Sequence, residues 1–336
     1  MAELVMTAAE IAADRDKWLQ VRREGITATD AAVIMGVSPW DSPFALWHRK
    51  KGNLPEVPDS DRFRLARHLE DYVAERWVEE QGGHLDREHC GLFRDGWRLA
   101  TPDWLVQDRE PWMPHHNTNV LGVLECKTVA SWDGWGLGLG GRCDCFCHGP
   151  EPEKFPHPHP GCACLDVPPY VRVQVLWQCD VLGVPVGHVA VLHRQSGEFR
   201  WYTIEADPLA YEPGKFRDAA QLFYESLIDD VPPPVDGAEA TTAALKALHH
   251  VSEPPGLVTL KGNLWEQYQS AKLQRDSGQR WMDEVANEVR SQMGDAKYGH
   301  DVDGKAFTRT VSKVAGHWVA PHVRDVLMPA RRKAGE

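Results

Sequence analysis

The sequence predicts an α/β fold in which a mixed central sheet is flanked by helices. Three observations carry this. Helical patterns with recognisable caps fill the chain up to about residue 80. Short β-type runs separated by turns then occupy residues 91–128. A helical segment from Pro169 to near Gly183 follows, and two alternating runs, 187–193 and 199–205, come after it. Helices, a meander, a helix and then strands is the order of an α/β core with a mixed sheet.

Each element has a local reason. Thr7-Ala-Ala-Glu10 fits a capping box and opens the first helix. Thr29 or Asp30 caps a second, which Gly36 ends. Ser42-Pro43 sets an N-cap before a first-turn proline, and Gly52 closes that helix. Val57 to Ser60 reads as a polar loop, and residues 62–80 as the next helix. Strands are expected at 91–94 and 97–106, around the Asp103 turn, and at Leu121–Thr128. Residues 208–231 read as a helix stopped by Pro232-Pro233-Pro234. The expected organisation is a core over 1–231 with a Cys/His-rich insertion at 133–167, then a Pro/Ala-rich linker at 232–255. An accessory unit follows at 256–336. It consists of a long helix, Leu264 to Met293, and a hairpin from Tyr298 to Trp318 turning at Asp303-Gly304. Arg324, Arg331, Arg332 and Lys333 read as a solvated basic tail, and no internal repeat is found.

Composition bounds the function. A chain of 336 residues with 42% hydrophobic content buries a large core. It contains no run of eighteen apolar residues, and its N-terminus lacks a basic region followed by an apolar one. A cytoplasmic location is therefore expected, where eight cysteines are metal ligands or free thiols rather than disulfides. A formal net charge of −12 argues against coating nucleic acid by bulk attraction. It leaves room for clustered acids that need a metal ion.

The chain's chemistry lies in a split acidic signature. Thr101-Pro102-Asp103 is followed, after twenty-one residues, by Glu125-Cys126-Lys127. Side chains two apart on a strand share a face, so Glu125 and Lys127 project together. With Asp103 from a neighbouring segment, two carboxylates stand beside an ammonium. Such carboxylates bind a hard divalent cation, Mg²⁺ or Mn²⁺. The lysine orients or deprotonates a water and offsets charge on a phosphate. Alone, Glu-x-Lys also reads as a surface ion pair and Pro-Asp as a turn. Company strengthens the chemical reading. Arg67-His68-Leu69-Glu70 brings a third acid on a helix. Tyr170, Gln174 and Gln178, spaced by four, share one face of another.

Taken in this order, the residues resemble the PD-(D/E)xK nuclease superfamily, and more narrowly the YqaJ-type viral recombinases related to the phage lambda exonuclease. The segment from Trp18 through Arg22-Arg23, Gly25-Ile26-Thr27-Ala28-Thr29 and Asp30-Ala31-Ala32 is similar to that family's opening block, with Ser38-Pro39-Trp40 after it. The resemblance runs from about Trp18 to Arg194, interrupted between Trp132 and Val167. It implies a restriction-endonuclease-like core. It also implies Asp103 and Glu125 as central metal ligands, the Cys126 carbonyl as a further one, Glu70 at the outer part of the site, Lys127 on the attacking water, and Gln174 orienting the helix side. Arg22 and Thr29 match positions that hold a 5′ phosphate. Asp103 and Glu125 stand further apart than is usual, with Gln107 to Asn119 as an inserted loop.

One stretch falls outside that resemblance. Cys143-Asp144-Cys145-Phe146-Cys147-His148 is followed fourteen residues later by Cys162-Ala163-Cys164, with His157 and His159 between. Five cysteines this dense point to a bound metal. Thiolate and imidazole suit tetrahedral Zn²⁺, with the ligand set open among these residues, and an iron–sulfur cluster as the alternative.

The expected activity is a phage-type, two-metal deoxyribonuclease resecting linear duplex from the 5′ end. The resemblance implies double-stranded DNA ends as substrate, a single-strand annealing protein as partner, and a ring-shaped homo-oligomer. It also places the protein in a bacterial host cell carrying the phage or prophage. The alternatives are an iron–sulfur end-trimming nuclease, an endonuclease of the same superfamily, and a non-catalytic DNA-end-binding scaffold.

Overall fold

Local sequence signals set most of the element ends. A computed structural model describes residues 2–107, 120–136, 167–206, 211–249, 263–293, 298–300 and 306–308. The chain divides into two compact units, Met1–Val251 and Ser252–Glu336.

The first unit begins with strand β1 (Glu3–Thr7), which the sequence reading did not anticipate. Helix α1 (Ala8–Ala13) starts at the Thr7–Glu10 capping box. Asp14 then caps a separate helix, α2 (Arg15–Arg23). Helix α3 (Ala28–Ile34) is capped by Thr27, not by Thr29 or Asp30. Asp30 instead supplies the other half of a capping box, accepting from the Thr27 N–H at 2.9 Å. Helix α4 (Pro43–Lys50) has Ser42 as its cap and proline in its first turn, and Gly52 follows at φ 75°. Helix α5 (Asp61–Gln81) ends at left-handed Gly82.

Strands β2 (His84–Asp86), β3 (Gly91–Asp95), β4 (Arg98–Ala100), β5 (Trp104–Gln107) and β6 (Val120–Val129) follow. The run expected as one strand at 97–106 is two. Thr101-Pro102-Asp103 interrupts it, and Pro102 has no N–H to give a ladder. Strand β4 joins a three-stranded sheet, β1-β3-β4, while β5 joins a five-stranded one. Helix α6 (Pro169–Leu182) leads to β7 (Val186–His193), β8 (Phe199–Glu205) and α7 (Tyr211–Ile228). The larger sheet runs β2-β5-β6-β7-β8. It is mixed: β6 and β7 are parallel and the other neighbours antiparallel.

Alternation along the strands sorts the core into two layers. Leu105, Val123, Val189 and Val191 pack with α3, α6 and α7. Val106, Leu124, Cys126, Ala190 and Leu192 pack with Val73, Ala74 and Trp77 of α5. The central sheet therefore lies between α5 on one face and α6 on the other.

The stretch expected as a linker, 232–255, contains helix α8 (Glu239–Leu248). Ala244 is buried against Phe44 and Ala45, and the Thr241 hydroxyl donates to Ser42 Oγ at 2.7 Å. Pairing with α4 removes the freedom a linker has. In the second unit, α9 (Leu264–Met293) is one continuous helix. Strands β9 (Tyr298–His300) and β10 (Ala306–Thr308) pair antiparallel. The expected turn at Asp303-Gly304, the remainder of the expected hairpin, 309–318, and the insertion cysteines lie outside the described residues.

Candidate active site

The middle strand of the larger sheet positions the site. Strand β6 pairs with β5 in a register that sets Trp104 against Leu124. One more step along that register brings Asp103 across from Glu125. The two halves of the acidic signature are thus flanks of one antiparallel pair, and residues 108–119 between them lie outside the described residues. Asp103 Oδ2 accepts from the Cys126 N–H at 2.7 Å, which fixes the carboxylate against the strand.

Glu125 and Lys127 face α6, as their spacing predicts. Glu125 is 3% exposed. Burying a carboxylate requires donors to replace water. Lys127 Nζ supplies one to Oε1 at 2.5 Å, Gln174 Nε2 another at 2.6 Å, and Gln178 Nε2 donates to Oε2 at 2.8 Å. Lys127 also donates to Gln174 Oε1 at 3.2 Å. The sequence reading set Gln178 on the right helix face but gave it no role. Its signal was an amide four residues from Gln174 on a largely apolar helix.

Glu70 arrives from α5. It is joined to the Asp103 turn by Arg87, a residue with no recognisable sequence signal. Arg87 NH1 donates to the Asp103 carbonyl at 2.5 Å, its NH2 lies 3.7 Å from Glu70 Oε2, and its guanidinium lies over Trp104 at 4.9 Å. The Cys126 thiol points to the opposite face, into the α5 layer, so only its backbone faces the site.

The electrostatics follow from crowding like charges. Burial, and then the Glu125 and Glu70 charges, push the Asp103 carboxyl well above the usual carboxylate range. Burial pushes Glu70 to about 7; Arg87 opposes this and Glu125 adds to it. Burial disfavours the Lys127 ammonium, yet Glu125 and Asp103 more than offset it, and its pKa lies above the ordinary value. Burial pushes the Cys126 thiol far up, so the thiol stays protonated.

The structure brings together Glu70, Asp103, Glu125, Lys127 and Gln174, with the Cys126 backbone. All the side-chain donor atoms offered to a cation are carboxylate oxygens, the type a hard ion takes. Among the described residues, no three His, Cys, Asp or Glu side chains form a ready-made metal cage. Glu125 is instead held by its amides and lysine. Arg22 and Thr29 are not among the residues brought together. Arg22 lies over Trp18 at 4.5 Å and donates to Thr27 Oγ1 at 3.3 Å, while Thr29 is exposed on the first turn of α3. The zinc candidates Cys143, Cys145, Cys147, His148, Cys162 and Cys164 lie outside the described residues.

The chain is similar to several known proteins. Residues 17–134 match the family described as YqaJ-like viral recombinase domain. The Bacillus subtilis (strain 168) protein called uncharacterized protein YqaJ is 26% identical over 306 residues, covering 89% of this chain and 83% of its own. Among solved structures, an alkaline exonuclease (LHK-Exo) from Laribacter hongkongensis aligns with a TM-score of 0.42 at 16% identity, over 64% of this chain and 93% of that one. A phage related exonuclease from Haemophilus somnus 129PT gives 0.39 at 10% identity, over 61% and 96%.

Proposed function

We propose that this chain is a Mg²⁺-dependent deoxyribonuclease of the phage recombination type, built on a PD-(D/E)xK core and resecting linear duplex DNA from the 5′ end. One observation carries the reading: Glu70, Asp103, Glu125 and Lys127, from three separate segments, share one electrostatic environment. Bringing three carboxylates together costs free energy unless a cation or a proton offsets them. Glu70, Asp103 and Glu125, with the Cys126 carbonyl, would hold the ion. When bound, it supplies positive charge to polarise the phosphodiester and stabilise the leaving oxygen.

The chain's own residues do the rest. Lys127 keeps its proton at Nζ, so it orients the attacking water and offsets developing negative charge rather than serving as the base. Without an ion, the raised Asp103 and Glu70 carboxyls hold protons that a bound cation would displace. Gln174 and Gln178 hold Glu125 in place. Arg22 and Thr29 are assigned to the 5′ phosphate by family likeness. The same likeness suggests a single-strand annealing partner, a ring-shaped oligomer and a phage or prophage setting in the bacterial cytoplasm. Zn²⁺ in the cysteine-rich insertion rests on the spacing of its cysteines in sequence; metal analysis of the purified chain tests it, and a brown colour marks an iron–sulfur cluster instead.

A second reading has an observation of its own. Both Glu125 oxygens already have donors. A scaffold that binds DNA ends without cutting needs no more than that. Digestion of end-labelled linear duplex and closed circular DNA with Mg²⁺, beside Lys127→Ala, separates the two. Loss of the linear substrate from one labelled end, with at least ~100-fold less in the variant, is the expected result. Cutting of the circle makes the protein an endonuclease. Binding without cutting of either substrate favours the scaffold.

A further inference from the structure

Large aromatic side chains ordinarily bury most of their surface. Trp177 is 1% exposed, whereas Trp40 is 63% exposed. Trp40 is not on a loose tip. Its neighbour Asp41 pairs with Arg49 and accepts from the Ser42 N–H at 2.9 Å, which braces the loop against the start of α4. The indole meets the Tyr170 ring edge-to-face, with centroids 4.8 Å apart and planes at 76°.

Tyr170 links this exposed ring to the candidate active site. It lies on the same face of α6 as Gln174 and Gln178, one and two turns before them. The three form a gradient of depth. Gln178 is 0% exposed beneath Glu125, Gln174 is half-buried beside Lys127, and Tyr170 is half-buried at the rim. Trp40 extends the row into solvent. The Tyr170 hydroxyl also lies within electrostatic reach of the Lys127 ammonium and the Arg62 guanidinium. An open aromatic ring, two cations and a deep carboxylate cluster thus follow one another over a short path.

Resting on the nuclease reading above, we infer that Trp40, buttressed by Tyr170, is a stacking shelf for a nucleobase next to the phosphodiester that enters the Glu125–Lys127 site. Every base has a π-face, so such a shelf is tolerant of sequence. The nearby cations suit the phosphate that each base carries, which favours a nucleotide over an apolar peptide as occupant. The shelf's role is to hold the strand at the site, and it takes no part in bond cleavage.

The test uses the full chain in a Lys127→Ala background with Mg²⁺, so that the DNA survives, and measures equilibrium binding to short duplexes. Trp40→Ala and Trp40→Phe are compared on intact ends and on ends where an abasic position is walked through the nucleotides nearest each terminus. Trp40→Ala is expected to raise the Kd for intact ends by roughly 5- to 100-fold, the range for loss of one stacked base. Trp40→Phe should restore most of it. At one abasic position the loss should vanish, because the partner of the shelf is already missing. The melting temperature should not change, since the ring is exposed. Equal Kd for Trp40 and Trp40→Ala, or the same fold loss at every abasic position, overturns the shelf and leaves the nuclease reading standing. A Lys127→Ala chain that binds no duplex end overturns the shelf alone, and the digestion of linear and circular DNA decides the nuclease reading separately.

Discussion

Glu125 shows how much one buried side chain demands of its neighbours. It is 3% exposed, and its oxygens accept from Lys127, Gln174 and Gln178. Gln178→Leu removes the only donor described to Oε2 in an apolar helix layer. An unpaired buried acceptor costs about 1–3 kcal/mol, so the variant should melt at a lower temperature and cut more slowly. An unchanged melting curve would show that Glu125 finds another donor. Glu70 makes a second prediction. Its carboxyl, near 7 in the folded chain against an ordinary 4.5, binds a proton more tightly folded than unfolded. That contribution to stability is complete below about pH 4.5 and fades as pH rises through about 7. A cation at the same carboxylates competes with that proton. Added Mg²⁺ should therefore raise the melting temperature more at pH 8 than at pH 5.5, and equal shifts at both would remove Glu70 from the ion's site. At this scale the Glu-x-Lys pair was legible because strand period two is a local rule. Arg87 was not, because what defines it is contact with the Asp103 carbonyl and Glu70, sixteen and seventeen residues away.

Strand β6 ties the chemistry to the fold. Gly122 opposes Val186 of β7 so closely that an added Cβ would lie 2.4 Å from the Val186 carbonyl oxygen. Gly122→Ala forces the parallel pair apart three residues before Glu125. Overpacking of this kind costs about 1–3 kcal/mol, and the displaced strand should lower activity along with the melting temperature. Full activity in that variant would mean that the β6–β7 spacing does not set the site. The start of α1 and both ends of α4, α6 and α9 were legible from caps, prolines and apolar periodicity, which act within a few residues. Two elements were misread for one shared reason. The 97–106 run is apolar and β-prone throughout, yet its halves pair in different sheets. The 232–255 stretch has a linker's composition, yet Ala244 and Thr241 fit against α4, whose Ser42 lies 199 residues away from Thr241.

At the scale of the molecule, all the residues of the candidate site lie in the first unit, Met1–Val251. A chain ending at Val251 should fold and keep the activity of the end-labelled assay. Retained folding with lost cutting would assign the second unit, with its helix α9, to engaging DNA. The sequence by itself determined the fold class, most helices, the Asp103 and Glu-x-Lys signature and its family likeness, because periodicity, capping and short motifs are properties of neighbouring residues. Only the tertiary structure decided that Asp103 stands across from Glu125, that Gln178 and Arg87 complete their surroundings, and that Trp40 lies at the rim beside Tyr170. Those relations depend on which strands pair and which helix covers which face, and these are fixed by burial across long separations in the chain.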